Sequence, residues 1–201
     1  MRRQLKNVLL AAAIVTALTA SSLWAQNAQA GAPPSPRQFP LQVAVTYNAT
    51  LANALVSNSF WMQGGSVELE GRIYRGLGAV ADVGGMNTGN INSTGVSLDL
   101  VTATFGPRYT WAPGREKYEF FGQGLAGVAN GFNGLFPAPT GATTSQTSLA
   151  VEAGGGMNVA LTLHVALRAF EVDYMRTGLP NSAVNVQNNV RFGAGMVFRF
   201  R

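Results

Sequence analysis

The sequence predicts an all-β chain, an eight-stranded antiparallel up-and-down transmembrane β-barrel, on three observations. Apolar residues recur at every second position through most of the chain. The connections between these stretches alternate long and short. Aromatic side chains collect near the ends of the stretches. A period of two belongs to a strand with unlike faces. When one face is apolar and the other carries charge and small residues, a barrel in lipid turns the apolar face outward.

The pattern is clearest at the end of the chain, in "VRFGAGMVFRFR" (190–201). Val190, Phe192, Ala194, Met196, Phe198 and Phe200 share one parity, while Arg191, Gly193, Gly195, Val197, Arg199 and Arg201 share the other. A soluble sheet would hide the first set against a second layer, whereas a membrane barrel presents it to lipid.

The beginning of the chain reads as an export signal. "MRRQLKN" is basic, and Val8 to Ala20 is apolar apart from Thr16 and Thr19. That run is shorter than the roughly 20 residues a spanning helix needs. Ala28-Gln29-Ala30 then offers a small-x-small cleavage site, with Ala25 as a second choice. Residues 1–30 are therefore expected to be a cleavable secretory signal peptide rather than a membrane anchor. Residues 31–38, "GAPPSPRQ", read as an extended lead-in, and 39–201 as the barrel.

Composition excludes several classes. With Arg2, Arg3 and Lys6 removed, eleven basic and nine acidic residues remain without a basic run, so there is no footprint for nucleic acid. Cysteine is absent, which rules out disulfides and thiolate metal sites. Glycine, at 24 of 201 residues, suits crowded barrel walls better than long helices.

Six segments follow a period of two. "LQVAVTY" (41–47) sets Leu41, Val43, Val45 and Tyr47 against Gln42, Ala44 and Thr46. "SVELEGRIY" (66–74) sets Val67, Leu69 and Ile73 against Ser66, Glu68, Glu70 and Arg72. "LGAVADVGG" (77–85) places Asp82 among small residues, and "TSLAVEAGGGMNV" (147–159) places Glu152 with glycines and Asn158. "HVALRAFEVDYM" (164–175) precedes the closing strand. In it Arg168 has the opposite parity to Glu171 and Asp173, which calls either for a bulge or for an arginine reaching to an interface. Two further strands, near 96–110 and 117–128, carry apolar residues on both parities, and their faces stay unassigned. Each strand is expected to run about 9–11 residues, enough for a tilted strand to cross a bilayer.

The expected connections at 48–63, 86–95, 129–147 and 175–187 are long and polar, and those at 75–78, 111–116 and 160–163 are short. An outer-membrane barrel with periplasmic termini has long external loops and short periplasmic turns in this alternation. Tyr47, Trp61 and Tyr174 lie toward the long-loop side. Tyr74, Tyr109, Trp111, Tyr118 and Phe200 lie toward the short-turn side, as two interfacial girdles would.

With "FGPRY" (105–109), "FEVDY" (170–174) and "VQNNVRFGAGMVF" (186–198), the chain resembles the small OmpA-like outer-membrane β-barrel proteins, most closely the porin-like barrel-domain proteins, over residues 39–201. The resemblance implies a monomer in the lipids of the bacterial outer membrane, exported through the Sec pathway. It also implies handling by periplasmic chaperones and insertion by the outer-membrane assembly machinery, which reads a C-terminal strand ending in an aromatic. Phe192, Met196, Phe198 and Phe200 would form that assembly strand, with Arg201 after Phe200 as a departure from the pattern.

Two glycine motifs lead nowhere. Gly76 to Ala81 fits G-x-G-x-x-A and Gly122 to Gly127 fits G-x-G-x-x-G. Dinucleotide binding needs a helix after the glycines, and "DVGGMNTGN" and "VANGFNGLFPAP" cannot supply one. His164 is the sole histidine and sits beside a short turn, so it is expected at an interface. No catalytic, cofactor or metal residue is expected, and a barrel-embedded hydrolase is the weakest reading.

The inward parities carry one constellation: Glu68, Glu70, Arg72, Asp82, Glu152, Glu171, Asp173 and Arg191. It is expected to be a salt-bridge plug, because eight strands leave a lumen just wide enough for side chains; a narrow porin-like channel is the alternative. A last hairpin centred near Asn181 would set Glu171 opposite Arg191, with Glu152 at nearly the same level. The 129–147 connection carries Phe132, Leu135 and Phe136, a candidate contact patch for an extracellular ligand unless it folds over the barrel mouth. The expected function is a non-enzymatic, membrane-anchored scaffold that presents loops.

Overall fold

The structure, a computed structural model, describes residues 40–54, 59–113, 117–138, 141–180 and 185–200. The expected signal peptide, the lead-in and Arg201 lie outside the described residues. Eight strands follow in order: β1 (Leu41–Ala52), β2 (Phe60–Tyr74), β3 (Leu77–Thr88), β4 (Leu98–Trp111), β5 (Tyr118–Ala138), β6 (Gly141–Ala160), β7 (Val165–Thr177) and β8 (Gln187–Phe200). Each pairs antiparallel with the next, and β8 closes on β1 from Leu41↔Phe200 to Leu51↔Val190. Closure removes both sheet edges, which in lipid would leave unpaired backbone groups.

The strand alternation sorts the side chains. Val45, Val67, Val83, Phe105, Val151, Phe170, Phe192 and Phe198 face out and are exposed. Trp61 and Phe192 lie with ring centroids 6.3 Å apart near one end of the wall, and Trp111 and Phe120 lie 6.0 Å apart near the other. The faces of β4 and β5 are now defined. Leu98, Leu100, Thr102, Thr104 and Arg108 point inward from β4; Glu119, Phe121, Gln123 and Leu125 point inward from β5. The Arg168 conflict resolves as a bulge. On β7 the pairing with β6 skips from Met157↔Phe170 to Asn158↔Arg168, so Ala169 and Phe170 both face out and Arg168 turns into the lumen.

Several sequence expectations need correction. The strands run 12 to 21 residues rather than about 9–11. The polar residues read as loop at 48–52 continue the ladder, because Asn48 and Thr50 are inward-facing positions of β1. The largest change concerns 129–147. Instead of a long loop, this stretch continues β5 and β6 as a paired hairpin from Ala129↔Ser148 to Ala138↔Gly141. An irregularity between Phe132 and Phe136, where Asn133 has φ of 58°, shifts the inward positions of β5 from odd (Ala129, Gly131) to even (Gly134, Phe136). At the long-loop end the strands are therefore linked through 53–59, 89–97 (with a 3-10 turn at Ile91–Ser93) and 178–186, and β5 and β6 extend as a hairpin.

Candidate functional site

The lumen is filled, and its contents change along the barrel axis. At the short-turn end, Arg199 donates to Glu119 at 2.7 Å, and Arg72 donates to Glu119 at 3.3 Å and Glu70 at 3.2 Å. Next, Arg108 donates to Glu68 at 2.8 Å and Glu70 at 3.3 Å, and Arg168 to Glu68 at 2.6 Å and Glu171 at 2.9 Å. The Phe121 ring takes both guanidiniums on its π-system, Arg108 at 4.2 Å and Arg168 at 4.7 Å from its centroid. Higher still, Arg191 donates to Asp82 at 2.9 Å, to Asp173 at 3.2 Å and to Glu152.

Gln123 joins these groups. Its carbonyl accepts from Arg108 Nε at 3.0 Å, and its amide donates to Glu171 at 3.1 Å and Asp173 at 2.9 Å. A single chain of ion pairs and hydrogen bonds thus runs from Arg199 to Asp82. In a narrow interior this mutual pairing is what makes the burial of so many charges tolerable. Close strand approach assists it: a Cβ at Gly154 would overlap Asp173 Oδ1.

Beyond Arg191 the lumen turns from ionic to polar and then apolar. Asn48 donates to Ser66 at 3.0 Å, and Thr50 donates to the Met86 sulfur at 2.8 Å. Met62, Met86, Leu98, Leu100, Phe136, Met175 and Leu179 then pack together, all buried. Phe136 lies over Gly131 and Gly134, where added Cβ atoms would meet its ring. Leu179 reaches this lid from the 178–186 connection.

The sequence-derived residues distribute as follows. Glu68, Glu70, Arg72, Asp82, Glu152, Glu171, Asp173 and Arg191 all lie in the connected network. The expected facing of Glu171 and Arg191 is wrong by two residues: Asp173 faces Arg191, and Glu171 faces Gly193. The bulge between Arg168 and Glu171 and the connection at 178–186 set that register. The Phe132, Leu135 and Phe136 patch does not exist as proposed. Phe136 is buried in the lid, Phe132 is half-buried on the wall, and Leu135 alone is fully exposed. Phe192, Phe198 and Phe200 are exposed on β8, and Met196 is half-buried. His164 lies exposed in the 161–164 turn, where its carbonyl accepts from Arg199 N–H at 2.8 Å.

Sequence reasoning missed Arg108, Arg168, Glu119, Gln123 and Arg199. Arg199 shares the parity of Arg191 and was open to the same reading. Arg168 is hidden by the bulge, and Arg108, Glu119 and Gln123 lie on the two strands with apolar residues on both faces. Folding of the 129–147 stretch over the barrel mouth was one of its two expected outcomes, but its lid partners were not anticipated, although Met175 shares the inward parity of Glu171 and Asp173.

A closed eight-stranded barrel with an apolar, aromatic-girdled outside and a charged inside is a transmembrane β-barrel of the outer-membrane type. Solved structures of small barrels share this fold. Neisserial surface protein A is similar at a TM-score of 0.64 and 18% identity, over 80% of this chain and 97% of that one. Ail, the attachment invasion locus protein of Yersinia pestis, is similar at a TM-score of 0.51 and 12% identity, over 81% of this chain and 100% of that one. No family model matches the sequence, and no curated protein matches it.

Proposed function

We propose that the chain is a non-enzymatic, closed-lumen scaffold of the bacterial outer membrane, which holds its long-loop end at the cell surface. The stacking of two unlike plugs in one lumen carries this reading. The ionic chain fills the short-turn end and the middle, and the methionine, leucine and phenylalanine lid fills the long-loop end. A channel for ions or small polar solutes needs a continuous wet path, and a dry apolar layer opposes one. The lumen also lacks the pairing of a nucleophile with histidine that a hydrolase would use, because His164 lies in a turn on the barrel's rim.

In this reading residues 1–30 are removed on export and 31–38 lead into the barrel. The chaperones and the assembly machinery act on β8 with its outward Phe192, Phe198 and Phe200. Surface contacts with an extracellular ligand fall to the connections at 53–59, 89–97 and 178–186 and to the β5–β6 hairpin. Fractionation should place the protein in the outer membrane, with a mature N-terminus after Ala30 or Ala25. Purified barrels in planar bilayers should remain electrically silent. Steady unitary conductance in the wild-type protein would replace the scaffold with the narrow channel.

A further inference from the structure

The outer wall at the short-turn end bears a band of aromatics flanked by cations over β2 to β5. Tyr74 pairs in register with Leu77, and Leu77 with Tyr109, while Trp111 pairs with Phe120. All five are exposed. Arg75 lies 5.1 Å over the Tyr74 ring, and Lys117 lies 5.6 Å over the Tyr118 ring. The β2–β3 turn is held against β4, because Thr110 N–H donates to the Gly76 carbonyl at 2.7 Å. Arg75 therefore lies in a turn held against the end of β4, whose last residue is Trp111.

Arg75 is also an awkward residue for its turn. Its φ is 39° and that of Gly76 is 89°, a two-residue hairpin connection with both positions left-handed. Such turns favour Asn-Gly, and a long side chain at the first position is strained. The turn itself therefore gives no reason for an arginine. Glu70 and Glu119, carboxylates at this level among the described residues, point into the lumen and are occupied by Arg72, Arg108 and Arg199. No outward carboxylate of the band neutralises Arg75 or Lys117 among the described residues. The opposite end differs. The connections at 53–59 and 89–97, and the whole stretch 120–151, contain no charged residue.

We propose that this band seats the phosphodiester headgroup of an anionic phospholipid in the leaflet at the short-turn end. Arg75 and Lys117 would hold the phosphate, while Tyr74, Tyr109 and Trp111 lie at headgroup depth with their apolar bodies against the acyl chains. A zwitterionic lipid also needs an acceptor for its ammonium group, and no described residue of the band is an outward carboxylate. The inference rests on the membrane placement and not on the closed lumen.

Native mass spectrometry of the full-length barrel from mixed phosphatidylglycerol and phosphatidylcholine micelles tests it. Wild-type protein should retain phosphatidylglycerol in preference. Arg75→Asn and Lys117→Gln should each lower that retention about fivefold, the scale of one cation at an anionic membrane surface. Arg176→Gln, at the other end of the wall, should leave it unchanged. Because Asn suits the turn, Arg75→Asn should fold at least as well, as the heat-dependent gel shift of folded barrels would report. Equal retention of the two lipids by wild type, or undiminished retention by the double variant, overturns the proposal. A loss as large in Arg176→Gln overturns it too. Failure of the wild type to insert into neutral phosphatidylcholine vesicles would instead reject the membrane placement beneath it.

Discussion

Asp173 and Arg191 face each other across the β7–β8 hairpin, with Arg191 Nη2 donating to Asp173 Oδ2 at 3.2 Å. The same guanidinium also holds Asp82 from β3 and Glu152 from β6, so one side chain ties four strands together across the lumen. Arginine suits this place because its fork of donors can serve several carboxylates at once.

Removing Arg191 should therefore be costly. Arg191→Met leaves three buried carboxylates short of a partner and should lower unfolding stability in detergent by about 3–5 kcal/mol, the range for breaking a buried pair. Adding Asp173→Asn should recover part of the loss, whereas adding Glu171→Gln should not. Urea midpoints of the three variants test this, and rescue by Glu171→Gln alone would contradict the register.

Gln123 is the bridge between the Arg108 and Arg191 groups. Gln123→Leu removes an acceptor from Arg108 and donors from Glu171 and Asp173. Leaving buried groups unsatisfied costs about 1–3 kcal/mol. A midpoint equal to wild type would mean that the two groups are held independently.

Gln42 should behave in the opposite way. Its side chain is buried, and neither its Nε2 nor its Oε1 has a hydrogen-bond partner. Gln42→Met keeps the volume and removes the unsatisfied amide, so stability should hold or rise by about 1 kcal/mol. A clear loss in thermal unfolding would show that the amide has a role of its own.

The lid should matter to both stability and permeability. Phe136→Ala removes the ring seated on Gly131 and Gly134 and should destabilise by about 3 kcal/mol. Combined with Met62→Ala and Met175→Ala, it should let water reach Arg191, read as faster hydrogen exchange on the upper half of β2 and β7. Unchanged exchange would mean that the lid does not seal the lumen.

Deleting residues 192–201 removes most of β8, which pairs with both β1 and β7. Two edges would then be left open in lipid, a state that does not persist. The truncated chain should be absent from outer-membrane fractions and degraded. Normal amounts of folded truncate there would refute the closed barrel.

Period-two alternation revealed the outward face of six strands, because that depends only on where a side chain points along its own strand, and the alternation of long and short connections gave the antiparallel up-and-down order. The eight charged lumen residues followed from the same parity. What parity cannot supply is the alignment between strands. A single bulge at Ala169 moved Arg168 from the apparent lipid face into the lumen, and the β7–β8 register gave Arg191 to Asp173 instead of Glu171. Hydrophobicity likewise misled where the lumen is itself apolar, since Leu98, Leu100 and Phe121 on inward positions made β4 and β5 look two-sided. For Phe136 the sequence left a surface patch and a fold over the barrel mouth both open, and the paired continuation of β5 and β6 decides for the second. Which way a residue faces is local information; which residues meet across a closed barrel depends on every bulge and turn between them, and only the tertiary structure decides it.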